Sequence, residues 1–386
     1  MNYMKKIAVI TGTRAEYGII FPILKSIQKN KNLTLHLIVA GSHFSRDFGY
    51  TFDDIVKDGF KIAAKIDMTL ADDTGARMAR SMGVGIIEFT QALEMLKPDI
   101  VLVTGDREEM LAAAISALCL NIPVAHLHGG EVATGGHIDE SIRYAITKFS
   151  HIHFVTSKKS VARILRLGEE PWRVKLVGAP FIDNLKIRKP SSLKNLAKLF
   201  NINGEKPAII VLQHPLTVDY KNSKKHMGDT MAAVASFKLP TIVIYPNGDA
   251  GSKEIIEIIN QYKDLPYIKV FKNLSTADFF GLLKIAKVLV GNSSSAIVEA
   301  SSFHLPAVNI GPRQDGREIS ENIIQASSRS IDIKRAISKA LNDKKFLRRV
   351  KKCLNPYDQG NASSKIVKIL HRLNLNNRLL HKKISF

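Results

Sequence analysis

Short apolar runs alternate with amphipathic stretches along nearly the whole chain. In the first half "KIAVITG", "LTLHLIVAG", "DIVLVTG", "PVAHLHG", "IHFVTS" and "VKLVGAP" read as strands buried on both faces. Apolar residues at helical spacing fill most of the gaps, as at 17–28 and 83–96. A Lys-rich break over 186–206 interrupts the pattern, which then restarts with "AIIVLQH", "TIVIYPN", "IKVFKN", "VLVGNSS" and "AVNIG". Strand–helix alternation with continuous apolar strands predicts parallel sheets covered by helices, and the restart predicts two such domains. The expected division is 1–188, 189–360 and a final helix with basic tail over 361–386, packing back on the first domain.

In open parallel sheets, ligands bind outside the carboxyl ends of the strands. The unusual residues lie there. "TGTRAEYG", "TGDREE" and "HGGE" follow strands of the first half, and "QHP", "YPNGD" and "GNSSS" follow strands of the second. Two sets of strand ends facing each other would form an interdomain cleft.

Each motif admits a chemical and a plain reading. In "GNSSSAIVEAS" the hydroxyls and free N–H groups of a helix start suit a diphosphate, and Glu299 suits ribose hydroxyls; a serine N-cap is the plain alternative. Arg14 could clamp phosphate or merely open a helix; the dinucleotide and Walker spacings are absent from its loop. Asp106 in "GDREE" is a candidate acid/base, but with Glu109 three residues on it also fits an acidic capping box. "HLHGGEVATGGHIDESIRYAI" (126–146) concentrates three histidines, three carboxylates and four glycines. His126 and His128 alternate about Leu127, so they share one strand face, as core residues or as proton relays. Gly129 and Gly130 would let a substrate approach the backbone. Asp139 and Glu140 could be first-turn helix acids. Glu131 sits in the loop itself and resists that explanation. His214 precedes a proline and reads equally as a phosphate donor or a turn histidine.

Composition changes little: 386 residues, 45% hydrophobic and 24% charged, describe an ordinary globular chain. No signal-peptide pattern or membrane-length apolar run is present, and the expectation is a cytoplasmic protein without membrane contact. Cys119 and Cys353 lack metal-ligand spacing, and the His126–His128 pair lacks a clear third ligand, so no metal is expected. The net charge of +21 is concentrated late, with 15 Lys and Arg against two acids in residues 334–386. Either a solvated helix face or a polyanion contact follows from that; no nucleic-acid partner is assigned.

Taken together, "TGTRAEYG", "GDR", "HGGE…IDESIR", "QHP", "GNSSS", "GPRQ.GRE" and "NPYDQGNAS" resemble, in order and over most of the chain, the UDP-N-acetylglucosamine 2-epimerase family, in its hydrolysing branch from sialic- and legionaminic-acid-type sugar synthesis. The resemblance implies the GT-B fold, two Rossmann-like domains with the site in their cleft. It implies release of N-acetylmannosamine and UDP from UDP-N-acetylglucosamine, through a 2-acetamidoglycal, with no cofactor and in a homodimer or homotetramer. A UDP- or GDP-linked 2,4-diacetamido-2,4,6-trideoxyhexose is the alternative substrate. The residues it implies as nucleotide-sugar contacts are Arg14, Gly18 and Arg107 from the first domain, with His214, Asn247, Leu274, Ser293, Ser294, Glu299 and Arg313 from the second. The implied catalytic acids are Asp106 and a carboxylate of the Asp139–Glu140 pair. Some family members read H-x-E-G-G-E, but here the first glutamate is His128, so its duty passes to Glu131 or to His128 itself. Tyr144 stands where the family usually has histidine. The rivals are a GT-B glycosyltransferase, which would need an acceptor, and a non-catalytic polyanion-binding protein.

Overall fold

A computed structural model of the chain describes residues 4–44, 50–68, 75–132, 137–200, 208–246 and 251–385. Two compact units are present: residues 1–131, 138–184 and 359–386 form one, and 132–137 with 185–358 the other. Each is built on one parallel sheet.

The first sheet holds β1 (Lys5–Thr11), β2 (Leu33–Ala40), β3 (Ile62–Ile66), β4 (Ile100–Thr104), β5 (Val124–Leu127), β6 (Ile152–Val155) and β7 (Val174–Leu176), in the order β3-β2-β1-β4-β5-β6-β7. Successive residues of one strand enter opposite cores: Ile7 and Val9 pack on one face, Ala8 and Ile10 on the other. Both cores exclude water, which is why the strands read as unbroken apolar runs. Each fully buried Ile or Val contributes about 1.5–3 kcal/mol.

The second sheet holds β8 (Ile209–Leu212), β9 (Thr241–Ile244), β10 (Ile268–Phe271), β11 (Val288–Gly291), β12 (Ala307–Ile310) and β13 (Ile323–Ala326), in the order β10-β9-β8-β11-β12-β13. The strand order reverses between β1 and β4 in the first sheet and between β8 and β11 in the second. Such switch points open a crevice at the strand carboxyl ends. The segments that follow β1, β4, β8 and β11 carry Arg14, Asp106, His214 and Ser293.

The C-terminal segment is part of the first unit. Helix Ala362–Arg372 buries Ile366, Val367 and Leu370 in its core, and Leu379 joins them. Lys5 Nζ closes that helix by donating to the carbonyls of Leu370 (2.9 Å), His371 (2.9 Å) and Leu373 (2.7 Å). Arg173 is fully buried and donates to the carbonyls of Leu379 (2.8 Å), Arg378 (3.0 Å) and His381 (3.1 Å). Lys382 pairs with buried Glu169 at 2.8 Å. Several of the tail's polar groups therefore serve internal bonds. No helix among the described residues is long and apolar enough to cross a membrane.

Candidate active site

In the first unit the turn after β4 places Asp106. Helix Glu108–Cys119 has Arg107 as its N-cap, with no side-chain cap hydrogen bond. Asp106 thus lies outside the cap, and the capping-box explanation of "GDREE" fails. The capping box is elsewhere: Thr13 accepts from Glu16 N, and Glu16 Oε2 accepts from Thr13 N, at the start of helix Arg14–Gln28.

Asp106 instead forms an ion pair with Arg143, whose side chain is 3% exposed. Arg143 also meets Glu140 Oε1 at 3.2 Å and donates to the Glu131 carbonyl at 2.6 Å. One guanidinium therefore fastens Asp106, Glu140 and the loop of Glu131, using the forked donor geometry that only arginine offers. Sequence reasoning missed Arg143. The available signal was its i,i+3 spacing from Glu140 on helix His137–Phe149. The other Glu140 oxygen accepts from Tyr144 Oη at 2.6 Å, and that hydrogen bond pushes the phenol above its ordinary range. Tyr144 Oη is thus a donor held on the Glu140 carboxylate. Asp139 sits half-buried in the first turn of the same helix.

His126 and His128 part company, contrary to the shared-face reading. Strand β5 ends at Leu127, and His128 takes φ +69°, in the left-handed region. His128 Nδ1 lies 3.4 Å from Glu131 Oε1, which also accepts from Thr156 Oγ1 at 2.7 Å. Glu131 is buried. His126 is fully enclosed, and burial depresses its imidazole to about 3, so it stays neutral. The glycines have a reason other than room for substrate: a Cβ on Gly130 (φ +72°) would stand 2.6 Å from the Ser160 carbonyl oxygen. Close packing on helix Lys158–Arg166 demands glycine there.

Arg14 is the first residue of helix Arg14–Gln28 and half-buried. Arg107 lies 3.5 Å from Glu108 and 4.0 Å from Glu109. Gly18 lies inside helix Arg14–Gln28, where a Cβ would meet Phe181 at 3.2 Å, and its carbonyl accepts from Asn184 at 2.8 Å. Glu16 is buried beside Glu109, and the two effects raise its carboxyl to about 8.

In the second unit Asn292 joins three loops. Its Oδ1 accepts from His214 N (2.7 Å), its Nδ2 donates to the His214 carbonyl (2.8 Å), and its own carbonyl accepts from Gln314 Nε2 (2.8 Å) and Arg313 Nη1 (3.3 Å). "QHP", "GNSSS" and "GPRQ" are thereby one construction, and Asn292 and Gln314 are site-building residues that sequence reasoning passed over. Gly291 (φ +141°) permits it, since a Cβ would collide with the Leu212 carbonyl of β8. Ser293 is an N-cap, accepting from Ser295 N at 3.3 Å, and Ser294 opens the short helix Ser294–Val298. Glu299 ends that helix. Its Oε2 is buried without a hydrogen-bond partner among the described residues, and burial raises the carboxyl to about 7. Leu274 is buried just before the N-cap Ser275. Asn247 lies outside the described residues. Gln213, His214, Asn292 and Ser328 line one concavity of this unit. Among the described residues, no group of three or more His, Cys, Asp or Glu is placed to hold a metal ion.

Comparison with known proteins bears on the family and the fold. The family model described as UDP-N-acetylglucosamine 2-epimerase matches residues 25–371. A Campylobacter jejuni protein, GDP/UDP-N,N'-diacetylbacillosamine 2-epimerase (hydrolyzing), is 38% identical, covering 98% of this chain and 98% of its own. A Legionella pneumophila protein, UDP-N,N'-diacetylbacillosamine 2-epimerase (hydrolyzing), is 36% identical over 98% of this chain and 99% of its own. Among solved structures, UDP-GlcNAc 2-epimerase from Neisseria meningitidis bound to UDP-GlcNAc superposes with a TM-score of 0.82 at 19% identity, covering 95% of this chain and 99% of that one. The two parallel-sheet units are the domains of the GT-B fold.

Proposed function

The chain belongs to the UDP-N-acetylglucosamine 2-epimerase family, and from that premise we propose that it hydrolyses a nucleotide-linked 2-acetamido sugar with inversion at C2. The observation that carries the reading is the buried Arg143, which gathers Asp106, Glu140 and the Glu131 loop into one acid cluster. The C2 proton of such a sugar is not acidic, so its removal has to be coupled to loss of the diphosphate from C1. A carboxylate takes the C2 proton as the C1–O bond breaks, leaving a 2-acetamidoglycal. Water then adds, its hydroxyl to C1 and a proton to the opposite face of C2. Each well-placed acid or base contributes about 10²–10⁴-fold. Asp106, ion-paired and so a proton acceptor, is assigned to C2. Glu131 with His128, and Asp139 with Glu140, supply the remaining acid and water-handling groups.

The nucleotide is assigned to the second unit's His214, Asn247, Leu274, Ser293, Ser294, Glu299 and Arg313, and Glu299 Oε2 is a buried acceptor suited to a ribose hydroxyl. Arg14 and Arg107, with Gly18 in the same helix as Arg14, are assigned to the leaving diphosphate, whose developing charge a guanidinium stabilises.

The sugar we favour is the 2,4-diacetamido-2,4,6-trideoxyhexose of the Campylobacter and Legionella relatives, because both match nearly the full chain. UDP-N-acetylglucosamine is the second reading, favoured by the description of the family model. Kinetics on UDP- and GDP-diacetylbacillosamine and UDP-N-acetylglucosamine, with no acceptor present, separate them. A site built for the 4-acetamido group should prefer its substrate by at least about 10²-fold in kcat/KM. Faster turnover of UDP-N-acetylglucosamine would select the second reading, and turnover only with an added acceptor would select a glycosyltransferase.

A further inference from the structure

We propose that His126 is a positioning residue for Asp106, with its imidazole locked as the Nε2–H tautomer between the Gly105 carbonyl and the Thr147 hydroxyl. The assignment rests on the acid/base role given above to Asp106.

The geometry defines the proton. His126 Nε2 lies 2.8 Å from the Gly105 carbonyl oxygen, which can only accept, so Nε2 is the donor. Nδ1 lies 3.3 Å from Thr147 Oγ1 and is left to accept the threonine hydroxyl. Both partners are consequential. The Gly105 carbonyl belongs to the peptide that leads into Asp106. The N–H on the other side of Gly105 donates to the Leu127 carbonyl at 2.9 Å. Gly105 itself takes φ +80° and, as glycine, has little stiffness of its own. Two consecutive residues of β5 therefore set the direction in which Asp106 leaves β4. Thr147 is one helical turn beyond Arg143, on the same face of helix His137–Phe149. His126 thus ties the Asp106 turn to the helix that carries Arg143 and Glu140, the other partners in that acid cluster.

The surroundings keep the ring from taking a second proton. It stands beside His153, its register partner on the neighbouring β6, with His128 and Lys382 nearby, and it is fully buried. A neutral pin follows, in place of the proton relay that the H-x-H pattern suggested. A Cβ on Gly129 would come within 3.0 Å of Nδ1, so the ring is walled in on that side as well.

The test uses the full-length enzyme. His126→Gln keeps an N–H donor near the Nε2 position, and His126→Leu removes it. For His126→Leu the expected loss in kcat is about 10-fold to 10²-fold, the effect of a misaimed catalytic group, with the Kd for UDP within about twofold of the parent. His126→Gln should recover most of that loss. Thr147→Val should lower kcat several-fold, and it decides the matter if His126→Leu does not fold. Nitrogen-15 NMR of the intact protein should show Nε2 protonated and Nδ1 bare from roughly pH 5 to 9. Parental turnover in His126→Leu or in Thr147→Val, equal damage by Gln and Leu, or a ring that titrates near neutrality would each overturn the proposal. The NMR measurement needs no substrate, so it separates a failure here from a failure of the assigned reaction.

Discussion

Replacing Arg143 by methionine tests whether one guanidinium holds the acid cluster together. Methionine keeps much of the apolar stem and removes the charge. Arg143 is 3% exposed, and its partners Asp106 and Glu140 are 24% and 17% exposed. Removing one partner of a buried ion pair costs about 3–5 kcal/mol, because the other charge stays behind. Water reaching the two carboxylates lowers that to about 2–3 kcal/mol. Trp172 is the sole tryptophan and lies in the same unit as Arg143, so its fluorescence reports that unit's unfolding. With a urea m-value of about 2–3 kcal/mol/M, the midpoint should fall by about 1 M. Adding Asp106→Asn removes one stranded charge, so the double variant should regain about 1 kcal/mol rather than lose more. A midpoint shift below about 0.3 M, or simple addition of the two single losses, would refute the assignment.

Other outcomes follow from the same geometry. Asp106→Asn should lower kcat by about 10²-fold or more with UDP affinity unchanged; near-normal turnover would move the proton to Glu131 or the Asp139–Glu140 pair. Glu299→Gln should weaken UDP binding about tenfold by calorimetry, a loss of the order of one charge-assisted hydrogen bond; unchanged affinity contradicts the ribose contact. Burial holds His43, His126 and His151 at about 4, 3 and 4, below an unfolded value of 6.5. Unfolding therefore takes up protons below that pH, and the Trp172-monitored melting temperature should fall as pH drops from neutrality towards 4. Glu16, raised to about 8, works the other way, its contribution being lost as pH rises from 4.5 through 8; Glu16→Gln should thus compare more favourably with the parent at high pH than at low. A parental melting temperature that does not fall towards pH 4 would contradict the first, and a difference between parent and Glu16→Gln that is independent of pH would contradict the second.

The fold was largely legible because buried parallel strands leave continuous apolar runs. The two strands that escaped, β3 with "IAAKI" and β13 with "IIQA", lie at sheet edges and are only partly buried, so their sequences are mixed. The site was legible as motifs but not as contacts. The role of Arg143 depends on a turn 37 residues away, at Asp106, which no local pattern reports. His126 and His128 separated because the chain turns left-handed immediately after β5, a conformation that histidine does not advertise. "GDREE" reads as a cap because Asp106 and Glu109 have capping-box spacing, and only the observed N-cap at Arg107 removes that reading.

Hydrolysis with inversion at C2 is decided by proton NMR of the reaction run in deuterated water. With the nucleotide sugar alone, the expected product is the free 2-epimeric acetamido sugar carrying deuterium at C2, in equal amount with the nucleoside diphosphate. A free sugar of unchanged configuration with protium at C2, or a nucleotide-linked epimer that accumulates without release, would contradict it.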